Sequence, residues 1–291
     1  MGRLALVYNP GSGRRRERSA AVSRMVAALA RRGISAEAHA TEAPGDATRL
    51  VREALAAGAE AIVIHGGDGS VNEALQPLVG GDTPLAVWPG GTANVLAREL
   101  GLPADIERVA ALIASARVRR VSVGRAGNRY FLLMAGVGLD AALVRAVNPL
   151  LKRAIGQGAY WAAGVRHVAR WRPQRFVVEV EGREYGAMQA VIANAPRYGG
   201  GLRVTPRARL DSDVLDLCLF DWRGRLAFLH HLAAGAAGAH LGLRGVTYLQ
   251  AARARVRGDD ATWVQVDGEP LGPLPMTFDC VPAALSLMVP G

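Results

Sequence analysis

Apolar positions in the first 120 or so residues fall into short continuous runs that alternate with stretches of helical spacing. Leu4 to Tyr8, Ile34 to Ala40, Ala61 to His65 and Leu85 to Trp88 read as strands. Between them, Val22, Val26 and Leu29 share a helix face that Gly33 ends. Leu50, Val51, Ala54 and Leu55 make a second helix with Gly58 beyond it, a third begins near Val71, and a fourth runs towards Leu100. Regular alternation of strand and helix predicts a parallel sheet covered on both faces.

The pattern changes near residues 122–130. Val121–Val123, Tyr130–Ala135, Phe176–Glu181, Met188–Ala193, Val214–Phe220, Ala251–Arg257, Thr262–Val266 and Leu285–Val289 read as strands, many separated by short Gly, Pro or Asp turns. Helical stretches near Asp140–Arg172 and Arg225–Leu241 interrupt them. The expected fold is an α/β N-terminal domain, residues 1–125, with a parallel sheet and helices on both faces, followed by an antiparallel β-sandwich domain, residues 126–291. No internal repeat or low-complexity linker is visible.

Composition narrows the function classes. Half of the 291 residues are apolar, which supports a sizeable core and argues against disorder. No apolar run is long and clean enough for a bilayer; the nearest, Leu226 to Leu243, holds His230, His231 and His240. The N-terminus carries no signal-peptide pattern, and the two cysteines, Cys218 and Cys280, sit in strand-like runs as expected of core thiols in a reducing cytosol. The net charge of +10 is almost wholly arginine, with Lys152 the only lysine. It favours approach to polyanions, an anionic membrane among them. The arginines are dispersed and not interleaved with aromatics, so no nucleic-acid partner is expected. Leu150–Trp171, with Lys152, Arg153, Arg166 and Arg170, is a candidate membrane-facing segment, the alternative being a core helix with a solvated basic face.

Candidate chemistry lies where the strands of the first half end. Gly66, Gly67 and Gly69 surround Asp68 between a strand and a helix, so the backbone can approach a ligand and the helix start can receive an anion. Two more glycine loops, Asn9–Arg14 and Pro89–Asn94, also follow strands, and each of the three carries a hydroxyl (Ser12, Ser70, Thr92). Ligands in an α/β sheet bind at the carboxyl ends of strands. Three such loops together predict a phosphate-bearing ligand with an associated metal.

With these residues the chain resembles the diacylglycerol kinase catalytic family, the soluble bacterial lipid kinases related to sphingosine and ceramide kinases. Asn9-Pro10-Gly11-Ser12-Gly13 is similar to the family's first nucleotide loop, and Thr41-Glu-Ala-Pro-Gly-Asp46 to its second. Gly66-Gly67-Asp68-Gly69-Ser70-Val-Asn72-Glu73 is similar to the Gly-Gly-Asp-Gly-Thr signature, with Ser70 in the threonine's place. Pro89-Gly-Gly91-Thr92-Ala-Asn94 resembles the Pro-x-Gly-Thr-x-Asn loop. Gly136-Val-Gly-Leu-Asp-Ala141, Asn194, Gly199-Gly-Gly201 and Asp267-Gly-Glu269 follow in the family's order.

The resemblance implies a two-domain architecture shared with NAD kinases, with ATP and Mg²⁺ in an interdomain cleft and a membrane lipid alcohol such as diacylglycerol as acceptor. It implies ATP contacts from Asn9 to Arg14, Thr41, Gly66 to Ser70, Asn72, Glu73, Gly91, Thr92 and Asn94. It further implies Asp267 as general base with Glu269 beside it, Asp68 in the catalytic metal network, and cytoplasmic, peripheral attachment to the membrane. Without the resemblance, Asp267-Gly268 reads more simply as a hairpin turn. Two departures stand out: Val95 follows Asn94 where the family often has Asp, and Ala208–Leu215 puts Ser212 and Asp213 where its structural magnesium loop has Asp-Gly. Asp211 or Asp213 could serve there instead, or be solvated turn residues. An NAD kinase-like phosphotransferase and a regulatory protein without turnover are the competing functions; the lipid's identity and a homodimer stay open.

Overall fold

The computed structural model describes residues 3–11, 15–115, 117–146, 174–197, 202–222 and 225–290. The chain groups into two compact units, Met1–Ser122 with Ala283–Gly291, and Val123–Pro282. In unit 1, β1 (Arg3–Tyr8), β2 (Ser35–Ala40), β3 (Ala61–Gly66) and β4 (Leu85–Pro89) form a parallel sheet in the order β2-β1-β3-β4. The end of the last strand, β16 (Met276–Met288), continues it, with Leu287 opposite Leu85.

Helices α1 (Arg15–Ala30) and α5 (Ile106–Ser115) pack together over one face, burying Val22, Met25, Leu29, Val109 and Ile113 against Leu4, Leu6, Val63 and Trp88. Against β1 and β3 lie α2 (Asp46–Ala56) and α3 (Asp68–Leu75), with Val51, Val71 and Leu75 buried. Since β3 is wholly buried, its near-continuous apolar run is what a central parallel strand requires.

Unit 2 is built from two antiparallel layers. One contains β8 (Phe176–Val180), β9 (Arg183–Ala187), β13 (Arg253–Arg257) and the first half of β16, with β5 (Val118–Ala126) paired to β16 and β6 (Arg129–Phe131) paired to β5. The other runs β12 (Val246–Ala251), β11 (Leu215–Phe220), β10 (Gln189–Ala193), β7 (Met134–Gly138), β14 (Trp263–Val266), β15 (Glu269–Pro273). Phe176, Val178 and Val180 alternate inward from the first layer and meet Leu215, Leu217 and Leu219 from the second. Such period-two alternation is the signature of a sandwich interior.

The expected strand 130–135 is in fact two, β6 and β7, because the chain bends at Leu132–Leu133 to bring successive amides onto a side chain of the β14–β15 turn. The expected strand 251–257 is observed as β13, and the strand before it, β12, which ends at Ala251 and pairs in the other layer, was not expected. Of the helix expected over 140–172, the described part is α6 (Leu139–Ala146); the candidate membrane segment 150–171 and Gly199–Gly201 lie outside the described residues. The other expected helix is α7 (Arg225–Ala236) followed by a short 3₁₀ turn at His240–Gly242. Among the described residues no helix is long and apolar enough to cross a membrane.

Ala283–Gly291 returns to unit 1. The Ala284 carbonyl accepts from Gly80 N–H (2.8 Å), and Ser286 Oγ accepts from Arg120 (3.1 Å).

Candidate functional site

The loops after β1, β2, β3 and β4 are joined to one another by direct hydrogen bonds at the carboxyl edge of the unit 1 sheet. Thr41 N–H donates to Tyr8 O (2.9 Å), Asn9 N–H to His65 O (3.0 Å) and Gly90 N–H to Gly66 O (2.8 Å). In the first loop, Asn9 Oδ1 accepts from Gly11 N–H (2.8 Å), which turns the chain after Pro10. Ser12, Gly13 and Arg14 lie outside the described residues.

The two central loops meet through glycine. A Cβ at Gly91 would fall 2.5 Å from Gly67 Cα, so the contact is backbone on backbone. Asn94 closes its own loop, accepting from Gly91 N–H (2.9 Å) and donating to Gly91 O (2.7 Å) with φ of 45°. Thr92 is exposed at the tip, and Gly67, Gly69 and Ser70 are partly exposed. Gly67 caps α3 without a side-chain hydrogen bond, so the first amides of that helix form a natural seat for an anion.

Several residues of the predicted group also make structural hydrogen bonds. Asp68 Oδ1 accepts from Val95 N–H (2.8 Å) and Leu96 N–H (3.4 Å), capping α4 (Val95–Glu99). Glu73 accepts from Ala47 N–H (3.2 Å), with its main-chain oxygen on Thr48 Oγ1 (2.8 Å). Its carboxylate thus serves the start of α2, whose Gly45 cap has no side chain to do so. Asn72 is buried, with its carbonyl on Gln76 Nε2 (2.8 Å). The Thr41 loop is tied by Asp46, which accepts from the Glu42 and Ala43 amides (2.8 and 3.0 Å); these bonds hold its carboxyl below the usual range.

In unit 2, Asp267 and Gly268 are the turn of the β14–β15 hairpin, with φ of 48° and 86°. Positive φ at both positions is the geometry that favours Asp-Gly. The Asp267 carboxylate accepts from three consecutive amides, Leu132 (2.8 Å), Leu133 (2.9 Å) and Met134 (3.0 Å), while its own N–H donates to Met134 O (2.9 Å). A hydrogen bond to a charged group contributes about 1.5–3 kcal/mol. Hairpin turn and functional carboxylate are therefore compatible readings of one residue. Glu269 is exposed at the start of β15. Asn194, buried, donates to Leu132 O (3.0 Å) and braces the same bend.

Asp211 is held by Arg209 through both oxygens (3.0 and 3.1 Å), and Asp213 is exposed beside it. Among the described residues no group of three His, Cys, Asp or Glu side chains is arranged to hold a metal. Sequence reasoning missed Asp216, a fully buried carboxylate in β11 that accepts from Tyr248 Oη (2.7 Å) and Gln250 Nε2 (3.1 Å). Burial pushes its pKa up, partly offset by those donors. The signal was present: one carboxylate inside the apolar run 214–220.

Residues 3–126 match the model of the diacylglycerol kinase catalytic domain, and residues 134–289 match that of the YegS C-terminal NAD kinase beta sandwich-like domain. The chain is 31% identical over 302 residues to a diacylglycerol kinase of Mycobacterium tuberculosis, covering 100% of this chain and 96% of that one. It is 29% identical over 283 residues to a diacylglycerol kinase of Bacillus subtilis, covering 96% and 93%. A crystal structure of a diacylglycerol kinase from Bacillus anthracis superposes with a TM-score of 0.80 at 24% identity, over 99% of this chain and 97% of that one, a likeness of fold. The matched models together span both units, and the chain belongs to the diacylglycerol kinase-like family of lipid kinases.

Proposed function

We propose that the protein is an ATP-dependent lipid kinase that moves the γ-phosphoryl group of ATP to the hydroxyl of a membrane lipid such as diacylglycerol. The observation that carries this reading is the joining of four loops at the carboxyl ends of β1 to β4, with the Gly67–Gly91 contact at their centre. A glycine backbone, uncapped amides at the head of α3 and the hydroxyls of Ser70 and Thr92 suit phosphate oxygens. Magnesium bound with the nucleotide would offset charge on the transferring group, and nucleotide-bound Mg²⁺ needs only one or two protein carboxylates. Asp68, at the head of α3, fits that requirement, directly or through water.

Proton acceptance is assigned to Asp267. A lipid hydroxyl is a poor nucleophile, and a positioned carboxylate takes its proton as the bond to phosphorus forms. The three amides on Asp267 fix that carboxylate in place, and Glu269 lies two residues on. In this reading the acceptor approaches from an anionic membrane surface that the basic charge of the protein favours, with the enzyme a peripheral protein on the cytoplasmic side. The test is transfer of label from γ-labelled ATP to a panel of diacylglycerol, phosphatidylglycerol, a sphingoid base, an isoprenoid alcohol and NAD. Label in a lipid supports the reading. Label in NAD alone, or ATP binding with no labelled acceptor, overturns it.

A further inference from the structure

Gln265 is buried in β14 at a register shift in the pairing with β15, between Val264 and Gln265. Val264 and Val266 point into the sandwich core, so Gln265 lies on the other face, towards Asp140 of α6. Its Nε2 donates to Asp140 Oδ2 and to Met134 Sδ (3.2 Å), while its Oε1 accepts from Gly268 N–H (2.7 Å). Those partners fix the amide's orientation by chemistry, since Gly268 N–H can only donate and the carboxylate accepts. Asp140 is itself buried, an arrangement that is costly unless the charge is hydrogen-bonded. Space for the pair exists because residue 136 is glycine: a Cβ there would overlap the Asp140 carboxylate and lie 2.8 Å from Gln265 Nε2.

Resting on the reading of Asp267 as the base, we propose that Gln265, oriented by Asp140, is a positioning residue that sets the Asp267–Gly268 turn. Asp267 has a left-handed backbone, a conformation that persists where its surroundings over-determine it. Leu132, Leu133 and Met134 hold its side chain, and Gln265 holds the next residue of the turn. Gly136, Asp140 and Gln265 thus form a buried layer beneath the base, with Gln265 turned to it by the ordinary alternation of β14.

The experiment compares kcat, KM for ATP and amide hydrogen exchange in wild type, Gln265→Ala, Gln265→Glu and Asp140→Asn. Gln265→Ala is expected to lower kcat on diacylglycerol about 10- to 100-fold, the scale of a misplaced catalytic group, with KM for ATP unchanged. It should accelerate exchange at Leu132–Met134 and Gly268, and cause no further loss when combined with Asp267→Asn. Asp140→Asn leaves a side-chain oxygen that can still accept from Gln265, so this variant should retain most of the rate. Gln265→Glu keeps the acceptor for Gly268 but sets carboxylate against carboxylate, so its kcat relative to wild type should recover as pH falls and the pair shares a proton. A wild-type rate in Gln265→Ala, or an additional loss in the Asp267→Asn background, overturns the proposal. If wild type phosphorylates no acceptor, the kinase reading fails, and the exchange measurement alone decides: unchanged protection at Leu132–Met134 and Gly268 in Gln265→Ala overturns the positioning role, faster exchange supports it.

Discussion

Gly67 and Gly91 touch main chain to main chain, and a single methyl group at Gly91 would come within 2.5 Å of Gly67 Cα. The contact joins the ends of β3 and β4, where the loops carrying Asp68 and Asn94 begin.

Gly91→Ala is therefore expected to push these loops apart. Overpacking of this kind costs about 1–3 kcal/mol. Calorimetric titration should find ATP affinity reduced at least about tenfold, the factor corresponding to about 1.4 kcal/mol. Wild-type affinity with an unchanged melting temperature would mean that the loops do not depend on this contact.

Asp68 is expected to have two separable roles. Asp68→Ala removes the acceptor for the Val95 and Leu96 amides and should cost about 0.5–2 kcal/mol in denaturant unfolding, as for other lost helix caps. Asp68→Asn retains an acceptor oxygen and should be close to wild type in stability, yet lose magnesium-dependent turnover. Full turnover in Asp68→Asn would confine Asp68 to capping.

Burial raises the Asp216 pKa above the ordinary value of 3.8, so between that value and the raised one the folded protein binds more protons than the unfolded chain. The stability from this site is fully present below pH 3.8 and is lost as pH rises through the folded pKa. Asp216→Asn should flatten the stability-versus-pH curve in that window. Equal slopes for variant and wild type would contradict the assignment.

Cys218 and Cys280 should resist alkylation in the native state. Burial pushes the Cys218 thiol up to about 12, and burial together with the nearby Asp213 charge pushes Cys280 up to about 11. Only the thiolate reacts, so iodoacetamide at about pH 8 should label neither until the protein is unfolded. Rapid labelling of native protein would show that the unit 2 core opens readily.

Much of the fold was legible because its signals are local. The alternation around Ala61–His65 and Leu85–Trp88 gave the parallel sheet, and the glycine loops gave the edge that gathers phosphate-binding groups. Contacts made at long sequence distance were not legible. The bend at Leu132–Leu133 is held by Asp267, adjacent in space but distant in sequence, so an apolar run that reads as one strand becomes two. Glu73 belongs to a nucleotide motif, and the bond from its carboxylate to the α2 amide left without a side-chain cap by Gly45 carries no local signal. Gly136 and Asp140 were visible as a motif, whereas their purpose depends on Gln265, which carries no sequence signal of its own.

The most direct test is single-turnover phosphoryl transfer from ATP to diacylglycerol in mixed vesicles, comparing wild type with Asp267→Asn. The substituted side chain keeps one oxygen that can accept from Leu133 and Met134, so folding should survive, as circular dichroism would verify. The predicted result is a loss of about 10²–10⁴-fold in the transfer rate, the usual scale for a missing general base, with ATP binding unchanged. Transfer at the wild-type rate by folded Asp267→Asn would contradict the assignment of the base.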